Sequence, residues 1–349
     1  MKSCSETVLH LSWFIIREQI ENVVVDGLPF HASTGTKLDD NIDDSDENDD
    51  DESEGFQVWK PDTPQDSSSF AHVLRAPEAS SYWRGIYTSR AGKFWEDFYR
   101  RHANRFFKDR HYLTRDFSFV FQPARSSASK GFVHLLEFGC GCGNALIPLL
   151  LQLPRLSVVG FDLSNEAIVM LRASAIENNI SDRVSCFVRD ACEKNVHIDA
   201  LSEQQAQVPM LAADLQLNRP ALERGFDIVL MLFMLSAMAP EKHVSILKEA
   251  WASLRPGGYL VLRDYAYGDA AQLRFGSGKK LDKDGSLFVR QDGTLAYFFT
   301  LERLRCIAAQ ANLEEVEAKI LFRRYANRAL GVELRRVFVS AVFRRGVVC

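Results

Sequence analysis

The run LLEFGCGCGN at residues 135–144 sets Gly139, Gly141 and Gly143 between a segment that reads as a strand and one that reads as a helix. Glycines at this spacing allow a tight turn and let a ligand approach the main chain closely. The same alternation continues on both sides. HLLEFG, LSVVGFDL, VSCFVRD and FDIVLMLF read as strands, and YLVLRDY begins another. NALIPLLLQL, NEAIVMLRASAIEN and PEKHVSILKEAWASL read as helices, the last ending before the turn RPGG. Alternating β and α segments imply an α/β, Rossmann-like, mostly parallel doubly wound sheet. Ligands of such sheets bind beyond the carboxyl ends of the strands. AYFFT and RRVFVSAVF, flanking a helix-like segment at 301–311, are expected to close the sheet. Residues 195–225, polar and broken by Pro209 and Pro220, read as an insertion between the third and fourth strands.

A dinucleotide fingerprint wants glycine or alanine at position 144, where this chain has Asn144. The turn fits the class I S-adenosylmethionine-dependent methyltransferases better. That cofactor has no pyrophosphate, so the turn packs on its methionine part and ribose while Glu137 helps fix the loop. Nineteen residues after Gly143, Asp162 closes the second strand, where a carboxylate can accept both ribose hydroxyls. Asp190 closes the third strand and can accept from the adenine amino group. Either acid alone reads equally well as a helix cap; three ordered strand-end signals point to S-adenosylmethionine, with Leu232 walling its pocket.

The 349 residues divide into four parts: a segment at 1–32 with no assigned role, an acidic linker at 33–69, a helical region at 70–130, and the methyltransferase domain at 131–346. The linker is too polar to bury enough apolar area to offset its ordering entropy, so it is expected to be disordered. Net charge is −4, but residues 39–54 hold 11 of the 46 acidic residues, against 42 Lys and Arg, so the rest carries a balance of +7. A mildly basic body suits a nucleic-acid partner without requiring one. Seven cysteines in no paired C-x-x-C pattern argue against a disulfide framework or a zinc site, and no metal is expected. No apolar run approaches the roughly 20 residues of a membrane span, and no secretory signal is read. A reducing, cytoplasmic setting is expected, with or without a nuclear pool.

Between Gly92 and Phe121 the chain is dense in aromatic and basic residues. Trp95, Phe98, Tyr99, His102 and Phe106 recur at helical spacing, a stripe that reads first as core packing. Arg100, Arg101, Arg105, Lys108, Arg110 and Arg115 here, and Arg323, Arg324, Arg328, Arg335 and Arg336 near the end, are candidate phosphate contacts.

Taken together, FWEDFYRRH with FFKDR, LEFGCGCGN, LFMLSAM, LRDYAYGDAAQLRF and FVRQDGTLAYFFT resemble the tRNA N3-methylcytidine methyltransferases, particularly the branch acting on serine tRNAs. The resemblance spans roughly residues 92–345. It implies methylation of cytidine 32 in the anticodon loop and a seryl-tRNA synthetase as partner. It also implies that Trp95 and Tyr99 close over the cofactor beside Gly139, Gly141, Gly143, Asp162, Asp190 and Leu232. Arg263, Asp264 and Tyr265 would face the transferable methyl group. RNA contacts would come from Lys108, Arg110, Arg274, Arg290, Arg328 and Arg336, with Gln272, Phe275, Asp292 and Gly293 shaping the target-base side. Two departures stand out. Leu295 follows DGT where the family carries arginine, and the carboxyl-terminal pattern is kept only in part, as Asn327, Arg328, Arg336 and Val337.

Cytosine N3 offers a lone pair at neutral pH, so no strong base is required. Asp264 is expected to accept from the exocyclic amine and to stabilise the developing positive charge; Arg263 suits a phosphate or an ion pair. The fourth strand lacks an Asp or Asn followed by Pro-Pro and an aromatic, which argues against exocyclic amines as targets. Without the resemblance, a small molecule or a protein remains open as methyl acceptor, as does a silent binding protein.

Overall fold

The computed structural model describes residues 72–104, 106–125, 131–192, 224–276, 278–327 and 332–347. The segment 1–32, the acidic linker 33–69, nearly all of the expected insertion, Arg105 and Arg328 lie outside the described residues. The strands are β1 (Val133–Phe138), β2 (Leu156–Asp162), β3 (Val184–Val188), β4 (Phe226–Leu232), β5 (Leu254–Tyr265), β6 (Leu287–Val289), β7 (Leu295–Tyr297), β8 (Leu313–Asn327) and β9 (Val332–Arg345). The helices are α1 (Ser81–Ser89), α2 (Ala91–His102), α3 (Leu113–Asp116), α4 (Ser118–Arg125), α5 (Leu146–Gln152), α6 (Asn165–Glu177), α7 (His243–Ser253), α8 (Ala270–Leu273) and α9 (Leu301–Gln310).

The main sheet has the order β3-β2-β1-β4-β5-β9-β8. Strands β1 to β5 are parallel, and β9 runs antiparallel to both β5 and β8. These central strands are almost continuously apolar because helices cover both of their faces. Alternate residues separate onto the two sides. Leu135, Val158, Ile228, Leu230 and Val261 pack with Phe121, Leu146, Leu150, Ile168 and Leu171 of α4, α5 and α6. Leu136, Phe138, Phe161, Met231 and Leu262 pack instead with Ile246 and Leu247 of α7 and Leu304 and Ile307 of α9. The strand order reverses between β1 and β4, which opens a binding crevice at their carboxyl ends.

Two expectations need correction. AYFFT does not close the main sheet: its first residues belong to β7, which pairs with β6 in a separate two-stranded sheet. The cause is local. Asp292 accepts from the backbone and hydroxyl of Thr294 at 2.8 and 2.7 Å, and Gly293 takes φ +90°, so the DGT turn folds the segment back on itself. The closing strands are β9 and β8. The turn RPGG, for its part, is absorbed into β5 as an irregularity between the Phe226↔Leu254 and Ile228↔Tyr259 pairs.

The β8–β9 hairpin outruns the sheet. β5 leaves β9 at the Tyr265↔Phe338 pair, while β8 continues to Asn327↔Val332, setting Arg323 opposite Arg336 and Arg324 opposite Arg335.

Candidate cofactor and active site

A cavity of about 730 Å³ opens at the ends of β1, β2 and β4, within the range of roughly 300–1,000 Å³ usual for small-molecule sites. Its floor is the glycine turn. Gly139, Gly141 and Gly143 have φ of +70°, +51° and +94°; Gly139 and Gly141 line the cavity, where a Cβ at Gly141 would lie 2.5 Å from the Tyr99 hydroxyl, whereas Gly143, expected beside the cofactor, does not line it and faces Leu171 of α6. Only glycine fits here, on both conformational and steric grounds.

Asp162 ends β2 at the cavity edge, 8% exposed. Its carboxylate accepts from the backbone N–H groups of Gly141, at 2.8 Å, and Ser164, at 2.9 Å. Each oxygen keeps a further lone pair, so hydroxyl donors can still be accommodated. Burial raises the Asp162 carboxyl above its usual value, and those backbone donors oppose the rise. Asp190 also lines the cavity and accepts from the Cys192 N–H at 2.7 Å. Leu232 completes the wall.

Glu137 behaves differently from the expectation. It does not brace the loop: its buried Oε2 has no hydrogen-bond partner, and the residue lines the cavity. Burial holds its carboxyl well above the usual range, with the Arg110 guanidinium opposing. A partnerless buried carboxylate oxygen, two strand-end acids and a glycine cradle fit an adenosyl cofactor with a cationic amino-acid end.

Helix α2 forms one wall of the cavity and is the candidate lid. Trp95 and Tyr99 line the cavity, while Phe98, Tyr99 and Cys142 share a cluster with Phe106 and Phe107. Phe98 contacts Phe106 at 4.6 Å and His102 at 4.7 Å between ring centroids, so these aromatics are packing residues. Glu96 of α2 accepts from the Ser164 hydroxyl at 2.5 Å and the Glu166 N–H at 3.3 Å, which ties the lid to the amino terminus of α6. Arg84 of α1, another cavity residue, is ion-paired with Glu241.

Asn144 has a role that the sequence does not advertise. Its Nδ2 donates to the Phe107 carbonyl at 3.0 Å and to Asp109 at 3.2 Å, and its backbone carbonyl accepts from the Arg110 N–H at 2.8 Å. The FFKDR segment is thereby fastened to the glycine turn, and Arg110 lines the cavity.

None of Arg263, Asp264 and Tyr265 lines the cavity. Arg263, 5% exposed, is ion-paired with Asp116 at 2.8 Å and lies over the Tyr112 ring at 4.3 Å. Burial works against its charge, but Tyr112 and Asp116 outweigh that and raise its pKa. Asp264 is 1% exposed and accepts from the backbone N–H groups of Ser236, at 3.0 Å, and Tyr265, at 2.9 Å. Burial pushes it up to about 6 against those donors. Tyr265 backs Phe233, 5.1 Å between ring centroids.

The expected RNA residues divide as well. Lys108 and Arg274 are exposed. Arg290 is half-buried and donates to the Leu295 carbonyl at 2.7 Å. Arg336 is corrected: it is 4% exposed and grips the fully buried Asp269 at 3.0 Å, an internal ion pair that cannot also serve as a surface phosphate contact. Gln272 is also internal, donating to the Gly285 carbonyl at 2.6 Å and accepting from the Gly268 N–H at 2.8 Å. Leu295, the departure after DGT, lines the cavity. Among the described residues no group of His, Cys, Asp and Glu could hold a metal ion, and no helix is long and apolar enough to cross a membrane.

A family model described as a methyltransferase domain matches residues 136–260. The chain is 38% identical to the tRNA N(3)-methylcytidine methyltransferase Mettl2 of Drosophila melanogaster over 68% of its own length and 66% of the fly protein. It is 34% identical to the tRNA N(3)-cytidine methyltransferase METTL6 of Mus musculus, over 68% of its own length and 74% of the mouse protein. Among solved structures, a Burkholderia thailandensis 1,6-didemethyltoxoflavin-N1-methyltransferase aligns at a TM-score of 0.47 and 15% identity, covering 78% of this chain and 92% of that one. The chain belongs to the tRNA N3-cytidine methyltransferase family.

Proposed function

We propose that this chain transfers a methyl group from S-adenosylmethionine to N3 of a cytidine in tRNA, at position 32 of the anticodon loop of serine tRNAs. The observation that carries the reading is the Asn144 clasp: the basic FFKDR segment is hydrogen-bonded directly onto the glycine turn. A nucleic acid held by that segment arrives at the donor cavity.

In the transfer, N3 forms a bond to the methyl carbon with its lone pair, the C–S bond breaks with its pair left on sulfur, and positive charge passes to the pyrimidine. The protein's own contribution is alignment and electrostatics. Glu137 would receive the cationic end of the donor, Asp162 its ribose and Asp190 its adenine, while Trp95 and Tyr99 would exclude water above it. Lys108 and Arg274 hold phosphates. N3 lies on the pairing edge, so the base must be unpaired and turned out, as an anticodon loop permits. Arg263, Asp264 and Tyr265 act as positioning residues behind the wall. A seryl-tRNA synthetase partner and a cytoplasmic site of action follow from the same reading. Nucleoside mass spectrometry of serine tRNA from cells lacking the protein tests it: N3-methylcytidine should fall, and an unchanged level would refute the assignment.

A further inference from the structure

Phe233, immediately after β4, has φ +55°. That left-handed conformation is uncommon for a bulky side chain and is strained. Such strain persists where the surroundings over-determine it, and it clusters at functional sites. Here the Phe233 N–H donates to the Arg263 carbonyl at 2.8 Å, and Tyr265 and Phe338 back the ring at centroid distances of 5.1 and 5.5 Å. The result is a braced aromatic ring on the cavity wall, next to Leu232. Over that ring, 4.4 Å from its centroid, lies the guanidinium of Arg110.

We propose that the face of Phe233 is the platform for the target pyrimidine and selects for the positive charge the ring acquires during methylation. The inference rests on the tRNA N3-methylation reading and names the residue that carries its base subsite. A guanidinium and an N3-methylcytosinium are alike: planar cations with charge spread over nitrogens bonded to one carbon. An aromatic face that attracts the first attracts the second, and holds neutral cytosine less strongly. Preference for the charged ring is preference for the transition state over the ground state, the only kind of binding that accelerates the chemical step. The incoming ring takes the place of the Arg110 guanidinium. To make room the Arg110 side chain swings away and gives up its contact with the Tyr112 hydroxyl at 3.4 Å, while the Arg110 backbone stays fastened to Asn144.

The test uses the full chain with Phe233→Leu, which keeps apolar bulk without a π face, and Phe233→Tyr, which restores one. Donor affinity is measured by calorimetry and methylation of serine tRNA by steady-state kinetics. Binding of N3-methylcytidine and cytidine nucleosides is measured with S-adenosylhomocysteine present. Phe233→Leu should lower kcat about tenfold with donor affinity held within twofold, and Phe233→Tyr should recover most of the loss. The wild-type protein should bind N3-methylcytidine more tightly than cytidine, and Phe233→Leu should abolish the preference. Equal nucleoside affinities in the wild-type protein, or full kcat in Phe233→Leu, overturn the proposal. If wild-type protein leaves tRNA unmethylated, the function is wrong, and the nucleoside preference still decides the platform by itself.

Discussion

Asp116, half-buried, and Arg263, buried, stand 147 residues apart in the chain and meet in an ion pair at 2.8 Å. It joins α3, at the end of the basic segment, to the last residues of β5. Arg323 of the hairpin reaches the same carboxylate at 3.4 Å. Asp116 is thus where the helical region, the sheet and the projecting hairpin converge.

Replacing Asp116 with asparagine leaves the Arg263 charge buried without its counterion, and should cost about 3 kcal/mol in denaturant unfolding. Burial alone would raise the Asp116 carboxyl, but Arg263 and its other guanidinium neighbours hold it below its ordinary 3.8. A lowered folded value contributes stability that is complete above about pH 4 and disappears as pH falls through the folded value. The stability gap between wild type and Asp116→Asn should therefore close in acid; a gap unchanged down to pH 2 would contradict the assignment.

Glu137, proposed to receive the cationic end of the donor, is expected to couple donor binding to a proton. Its buried carboxyl is held well above the usual range, so the proton is retained at pH values where an exposed glutamate has lost it. A cationic partner favours the ionised form. Donor binding should release a proton, its affinity should rise with pH until Glu137 is ionised unaided, and calorimetric heats should depend on the buffer. In Glu137→Gln the buffer dependence should vanish. Its persistence there would assign the proton to another group.

At Gly141 the floor and the lid touch. Gly141→Ala should weaken donor binding at least tenfold, from a strained φ of +51° and a Cβ placed 2.5 Å from the Tyr99 hydroxyl. Adding Tyr99→Phe removes that oxygen and leaves Cζ, 3.5 Å away, as the nearest atom, so the double variant should regain part of the affinity. Strict additivity of the two changes in a double-mutant cycle would show that the contact does not matter.

Asp264 accepts two backbone donors best when ionised, and its pKa stands at about 6. Activity should rise through about pH 6 as the Ser236 loop becomes fixed, and that rise should be absent in Asp264→Asn. Stability runs the other way. A folded value above the ordinary 3.8 makes the carboxylate less favourable in the folded state, so stability falls from about pH 4 to about pH 6 and then levels. Matching pH profiles in wild type and variant would exclude this role.

The cavity-lining places of Gly139, Gly141, Asp162, Asp190 and Leu232 are legible in the chain because each stands at a fixed place relative to its own strand end. Arg263, Asp264 and Arg336 are not. Their partners, Asp116, Ser236 and Asp269, lie 147, 28 and 67 residues away, so charge without visible burial suggests a site where the fold has made an internal pair. β8 is illegible in the chain for a related reason. LEEVEAKILFRRYAN ends the sheet as an edge strand, where charged side chains are favoured and a shift between Glu315 and Glu317 breaks the period of two. The strained backbone of Phe233 leaves no mark in the sequence.

Methylation of cytidine 32 is measured with purified protein, S-adenosylmethionine carrying a labelled methyl group, and a serine tRNA transcript with cytidine at position 32, digested and read by nucleoside mass spectrometry. Labelled N3-methylcytidine should form and should disappear when cytidine 32 is replaced by uridine. Label on any other nucleoside, or N3-methylcytidine that survives that replacement, would contradict methylation at that position.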